Sequence, residues 1–291
     1  MPTNLINTGS RVLAAIDASV YATSVADHAA WAASRLSAPL QLVHAIERSA
    51  QASSGDLSGS LSLGSQEQLL AELAAIDERR GKLLNERGRH LLERAQAHIS
   101  NISGMPAEIC QRHGSIEETL LDLEAGVRLY VLGKRGEHAD FSQGHLGSSL
   151  ERIARSLHRP ILVASRAFRP VARFLIAYDG SVTTRKCGEM VSASPLLKGL
   201  DCDVLLVGEP DADTRNHLEW AEGQLQAAGF TPVLHVMAGI PDIVIARQAS
   251  ERATDLLVMG AYGHSRIRTM VVGSTTTQVL RACQIPVLLL R

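Results

Sequence analysis

Short apolar runs alternate with amphipathic stretches along most of the chain. In the C-terminal half the alternation predicts strands over 173–178, 203–208, 231–236, 255–259 and 286–290. Between them, apolar positions recur at helical spacing over 181–194, 213–228, 241–253 and 273–283. Strands fed through helices imply right-handed crossovers and a parallel sheet. The strands read as nearly continuous aliphatic runs, as expected for strands covered on both faces.

The same order occurs twice. RVLAAIDASV at 11–20 matches RFLIAYDGSV at 173–182, and RLYVLGKRG at 128–136 matches DLLVMGAYG at 255–263. LGSSLERIARSLHRPILVAS at 146–165 matches VGSTTTQVLRACQIPVLLLR at 272–291. Three matched segments in one order are a tandem duplication. The expected domains are 1–168 and 171–291, joined through the proline-containing SRAFRPVAR. Each is expected to be an α/β doubly wound layer with a five-stranded parallel sheet.

The halves differ in length. Asp17 to Asp179 spans 162 residues and Gly133 to Gly260 spans 127, so the first half carries 35 extra residues between its first and fourth strands. The insert covers about 49–100. Its Ser/Gly-rich part, SAQASSGDLSGSLSLGSQEQ at 49–68, reads as flexible. A long helix follows over 69–99, weakened locally by Gly81 and Gly88.

Ligands of doubly wound sheets bind beyond the strand carboxyl ends, where the winding direction reverses. Asp17 and Asp179 end first strands, and Gly133 and Gly260 end fourth strands. If those strands are neighbours, each Asp and Gly face one crevice. Gly260 and Gly263 lack a Cβ, so the backbone can take positive φ and lie close to a ligand. Gly273 precedes Ser274 and Thr275 at a helix start, where free amides and the helix dipole favour an anion. Arg266 and Arg268 add charge. Taken singly, these glycines also read as plain turns and the Ser-Thr pair as a helix cap. The arrangement occurs twice, each time with an Asp, which favours a polyphosphate cradle.

Gly260-x-x-Gly263, nine residues, then Gly273-Ser274 resembles the nucleotide-binding signature of the universal stress protein family. The VMG before it, the AYDGS of the first strand and the final IPVLLLR look like the same family, and the doubling is similar to its tandem two-domain members. The resemblance spans nearly all of both halves outside the insert. It implies strand order 3-2-1-4-5, the fold of adenine nucleotide alpha hydrolases, and ATP binding, possible with Mg2+, in some members. It places Asp179 near adenine or ribose, with Ala177 and Tyr178 on the same wall. Gly208 would contact the base and Met259 would cover it. Gly260, Gly263, Gly273, Ser274 and Thr275 would hold ribose and phosphates, aided by His264 and Arg266.

The first half matches this pattern less well. Its equivalents are Asp17, Ala45, Gly133, Gly136, Gly147 and Ser148, but ten residues separate Gly136 from Gly147. Lys134 and Arg135 are offset there by Glu137 and Asp140, whereas Arg266 and Arg268 leave the second loop at +2. Carboxylates beside a triphosphate weaken binding. The nucleotide is therefore expected mainly in the second half.

Composition narrows the function classes. Net charge is -1, which disfavours broad nucleic-acid or membrane attraction. The N-terminus lacks a basic start followed by an apolar run, and no apolar stretch reaches membrane-spanning length. Cys110, Cys187, Cys202 and Cys283 lack CxxC spacing and suit reduced cytoplasmic thiols. No GxGxxG, GxxxxGK[ST], GxSxG or HExxH is present. His90 and His98 read as exposed, His138 and His145 as solvated, and His44 and His235 as satisfied strand residues. Arg79 and Arg80 read as part of a solvated helix face.

No nucleophile, acid/base pair or metal cluster stands out. A nucleotide-responsive sensor acting through an unknown protein partner is the first expectation. A slow ATP hydrolase or nucleotidyl transferase, and a ligand-free assembly module, are the alternatives. The apolar final strands, PILVAS and PVLLLR, invite edge pairing. The halves could thus dock as a pseudo-dimer within the chain, and a homodimer of two chains is possible but does not follow from the sequence.

Overall fold

The structure is a computed structural model that describes residues 9–47, 63–136, 148–261 and 274–291. Ten strands form one sheet. The first half supplies β1 (Arg11–Ala15), β2 (Leu40–Ile46), β3 (Ala107–His113), β4 (Val127–Gly133) and β5 (Ile161–Ala164). The second supplies β6 (Arg173–Tyr178), β7 (Asp201–Val207), β8 (Pro232–Met237), β9 (Leu256–Gly260) and β10 (Val287–Leu290). Their order is β3-β2-β1-β4-β5-β10-β9-β6-β7-β8, so each half has the order 3-2-1-4-5.

Pairing is parallel within each half and antiparallel where β5 meets β10, with Val163 opposite Val287. The apolar final strands therefore close each other's edges, and β3 and β8 become the outer edges. This antiparallel join points the strand carboxyl ends of the two halves in opposite directions. The two crevices consequently open on opposite margins of the sheet.

Among the described residues, eight α-helices cover the faces. One face carries α1 (Ala22–Leu36), α2 (Leu63–Ser103), α5 (Val182–Ala193) and α6 (Ala212–Ala227), whose apolar sides pack with Val12, Ala14, Phe174 and Ile176. The other carries α3 (Ile116–Leu123), α4 (Ser148–Ser156), α7 (Pro241–Glu251) and α8 (Ser274–Ala282), packed with Leu13, Leu175 and Leu257. Alternate strand residues feed opposite faces, and both cores are mostly aliphatic, with Phe174 and Phe230 in one and Tyr130 in the other. Burying such side chains contributes about 25 cal/mol per Å² of apolar surface removed from water.

Two expectations about the insert change. Helix α2 begins at Leu63, inside the stretch read as flexible over 49–68. It is also the crossover from β2 to β3, the counterpart of α6, lengthened at its N-terminal end. Residues 71–80 are exposed to solvent, Arg79 and Arg80 included, whereas Leu92 and Ile99 are buried against the sheet. Gly88 is not merely a weak point: a Cβ there would lie 2.7 Å from the His44 ring. The glycine lets α2 press onto β2.

Candidate functional site

Strands β1 and β4 are direct neighbours, as are β6 and β9. Asp17 thus shares a crevice with Gly133, and Asp179 shares one with Gly260. The local geometry of the two differs.

In the second half, Gly180 takes a left-handed φ of 73° and turns the chain out of β6. The Asp179 Oδ1 accepts from the Ser181 amide at 2.9 Å and from the Thr184 hydroxyl at 2.7 Å. Burial alone would raise this carboxyl, but those hydrogen bonds outweigh it and hold it below its usual value. Asp179 is therefore ionised near neutral pH, fixed in orientation and exposed to solvent. Ser181 also caps α5 by accepting from the Thr184 amide.

Gly260 does not have positive φ, one of the two reasons expected for it. Its requirement is space: a Cβ would lie 3.1 Å from the Thr183 methyl and 3.5 Å from the Cys187 sulfur. The Cys187 thiol is pushed up to about 12, first by burial and then by the Asp179 charge, so it is a packing group rather than a nucleophile. Met259 is buried, Ala177 is partly buried, and both belong to the face that carries α7 and α8. Gly208 donates its amide to the Met237 carbonyl at 2.9 Å.

Tyr178 does not present its ring to that face. It is buried on the opposite one, stacked on Trp220 with ring centres 6.4 Å apart, and Arg185 lies over the same indole. Alternation along β6 dictates this, because neighbours point to opposite faces. His217 of α6 is a site neighbour that spacing did not reveal. Its ring occupies the space a Cβ on Gly180 would need, 2.0 Å from that position.

Gly263, His264, Arg266, Arg268 and Gly273 lie outside the described residues, as do Gly147, His138 and His145. Ser274 starts α8, and Thr275 is exposed in its first turn. No acidic residue stands in that turn, so nothing within it offsets the positive helix end.

The first crevice is filled differently. Tyr21 stands where the second half has Thr183, and it is buried. Its Cβ lies 3.1 Å from where Gly133 would carry one. Asp17 accepts from the Ser19 hydroxyl at 2.6 Å and the Ser19 amide at 3.1 Å. Gly136 approaches so closely that its Cβ position is 3.4 Å from Asp17 Oδ2. Lys134 turns away, its ammonium donating to the Cys283 carbonyl at the end of α8. Helix α4, the counterpart of α8, has Glu151 in its first turn. Superimposing the two strand registers makes Ala45 the equivalent of Val207 and Ile46 the equivalent of Gly208, so Ala45 is one residue short of the Gly208 position.

This duplicated sheet, joined through its last strands, has clear relatives. A model of the universal stress protein family matches residues 9–165 and 203–291. The chain belongs to the universal stress protein family. Universal stress protein Slr1230 of Synechocystis sp. is 37% identical over 284 residues, covering 96% of this chain and 99% of that protein. The crystal structure of a universal stress protein from Archaeoglobus fulgidus covers 97% of this chain and 98% of its own, with a TM-score of 0.69 and 20% identity. A universal stress protein solved in complex with cAMP is 23% identical and covers 42% of this chain and 98% of its own, with a TM-score of 0.37.

Other histidines sort by contact. His44 Nδ1 meets the Ile16 carbonyl at 2.8 Å and His235 Nε2 meets Asp203 at 2.7 Å, so both strand residues are satisfied. His98 is not simply exposed: its Nε2 lies 2.6 Å from Asp27 of α1, tying α2 to that helix. His90 is exposed beside Glu93. All four cysteines are free, no described helix is long and apolar enough to cross a membrane, and no metal-ligating cluster occurs among the described residues.

Proposed function

We propose that this universal stress protein binds an adenine nucleotide, ATP with Mg2+, in the second-half crevice and acts as a nucleotide-responsive regulator in the cytoplasm. The contrast at the fourth strand's end supports this most. Thr183 and Gly260 keep the second crevice lined by small groups, whereas Tyr21 and Gly136 pack into the first. Asp179 keeps one carboxylate oxygen for ribose or adenine in this reading, since its hydrogen bonds among the described residues run through the other. The acid-free start of α8 favours phosphates. Gly263, His264, Arg266, Gly273 and Ser274 complete the cradle in this reading. The reading requires no chemical step. Nucleotide binding would bias the shape offered to a protein partner.

The test is calorimetric titration of the intact chain with ATP and Mg2+. Separating the halves would expose β5 and β10 as apolar edges, so variants replace truncation. The expected result is one site per chain with micromolar affinity, about -8 kcal/mol. Asp179→Ala should weaken it about tenfold or more, while Asp17→Ala leaves it unchanged. Two sites, or greater sensitivity to Asp17→Ala, would overturn the assignment.

A further inference from the structure

The two halves are related by a local two-fold symmetry, and at the seam between them the linker from β5 to β6 has no copy. On the linker side the junction is filled. Phe168 meets the His28 ring edge-on with centres 4.9 Å apart, Val171 is buried, and the Ser24 hydroxyl donates to the Ser165 carbonyl at 2.8 Å. His28 is the repeat counterpart of Met190. At the symmetry-related position on the same face no linker passes, and a half-open cavity of about 40 Å³ remains between the halves.

That cavity is walled by Leu36, Leu129, Met190, Leu197, Leu288 and Leu290, and Arg128 shares the wall. Arg128 is 8% exposed. Its Nη1 donates to the Leu36 carbonyl at 3.3 Å, and its Nε meets no acceptor. Among the described residues it has no carboxylate partner. Burial lowers its pKa from the usual arginine value, with no opposing charge to restore it. A guanidinium stays protonated in proteins, and a buried charge without a counter-ion is costly. By volume the cavity holds about three waters or a short aliphatic chain. Water alone suits it poorly, because most of the wall offers no hydrogen bond.

We propose that the cavity between the halves is a binding site for a small aliphatic carboxylate. Its carboxylate pairs with Arg128, and its branched tail lies among Met190, Leu197, Leu288 and Leu290. Such a ligand bridges β4 of one half to β10 and α5 of the other, and it does so independently of either crevice.

The test uses the full-length protein with 3-methylbutanoate, and 3-methylbutanamide as a neutral match in shape. Calorimetry should show saturable 1:1 binding of the acid, with the amide about tenfold or more weaker. Arg128→Met should remove the preference for the acid while the chain keeps its cooperative melt. Leu197→Phe, which fills the cavity and keeps Arg128, should abolish binding of both. If Arg128→Met fails to fold, the acid–amide contrast and Leu197→Phe decide. No saturation at tens of millimolar acid, equal binding of acid and amide, or unaltered binding by Leu197→Phe would each overturn the proposal. A crystal soaked in the acid that shows water alone beside Arg128 would do the same.

Discussion

The two crevices descend from one pattern, yet the same backbone serves different ends. At the second, Asp179 is exposed and fixed by Ser181 and Thr184 above a floor of Gly260 and Thr183. At the first, Tyr21 fills the space beside Gly133, Gly136 lies over Asp17, and Lys134 is drawn to the other half. Duplication lets the two copies diverge: side chains fill the first crevice, and small groups line the described part of the second. The seam shows this most plainly. Lys134 holds the C-terminal carbonyl of α8, and Arg291 does the reciprocal task for α4, donating at 2.7 Å to the carbonyls of Arg155 and Leu157. Cations at helix C-termini complement the dipole.

The sheet margins extend the comparison and give the largest expected effect. Asp203 is 5% exposed and pairs with His235, with Arg173 nearby, whereas its counterpart Gln41 meets an exposed Glu108 beside Arg11. Asp203→Ala strands His235 in a mostly buried site and should cost about 3 kcal/mol in urea unfolding. Glu108→Ala should stay within about 0.5 kcal/mol. Equal effects would show that the two margins are energetically alike.

Lys134 offers the next effect. Burial pushes it down to about 8 from 10.5, against a smaller opposing influence of Cys283. Between those values the unfolded chain holds the proton and the folded chain has released it, so stability rises with pH across that window. Unfolding of native protein and Lys134→Met at several pH values should show their stability difference moving by about 2–3 kcal/mol in favour of the native chain from pH 8 to 10.5. A flat difference would mean that the ammonium is not buried.

Gly180 and its counterpart Ala18 come third. Gly180→Ala must accept a left-handed φ and displace His217, costing about 2 kcal/mol. The first half already carries alanine at this turn, exposed and without a left-handed φ. The reverse change, Ala18→Gly, acts mainly by loosening the unfolded chain and should cost less than about 1 kcal/mol. Denaturant midpoints distinguish these outcomes, and equal losses would mean that the two turns share one geometry. Smallest is Arg291→Ala, which should lose about 1 kcal/mol through the end of α4, read as faster amide exchange near Leu157.

Much of the architecture was legible because it is local and repeated. Short apolar runs and helical spacing located β6, recovered over 173–178, and β8 and α6 to within a residue. Matched segments revealed the doubling, and apolar final strands pointed to the seam. The site was legible in part: its Asp and Gly pairs lie together as the winding rule requires. Side-chain destinations were not. Spacing cannot say that Tyr178 faces Trp220, that His217 covers Gly180 or that Lys134 reaches Cys283, because each depends on contacts made across the fold. Strand alternation would have placed Tyr178 correctly. For Gly260 the sequence left two reasons, positive φ and close approach, because both leave the same residue; the φ is not positive, and Thr183 and Cys187 approach closely. Gly263, Arg266 and Gly273 lie outside the described residues, so their part in the cradle rests on the family resemblance.

The most direct measurement is a crystal structure of the intact chain grown with millimolar ATP and Mg2+. The account predicts nucleotide density between Asp179 and the start of α8, with Tyr21 still filling the other crevice. Density beside Asp17 and Gly133, or both crevices empty of nucleotide, would contradict it.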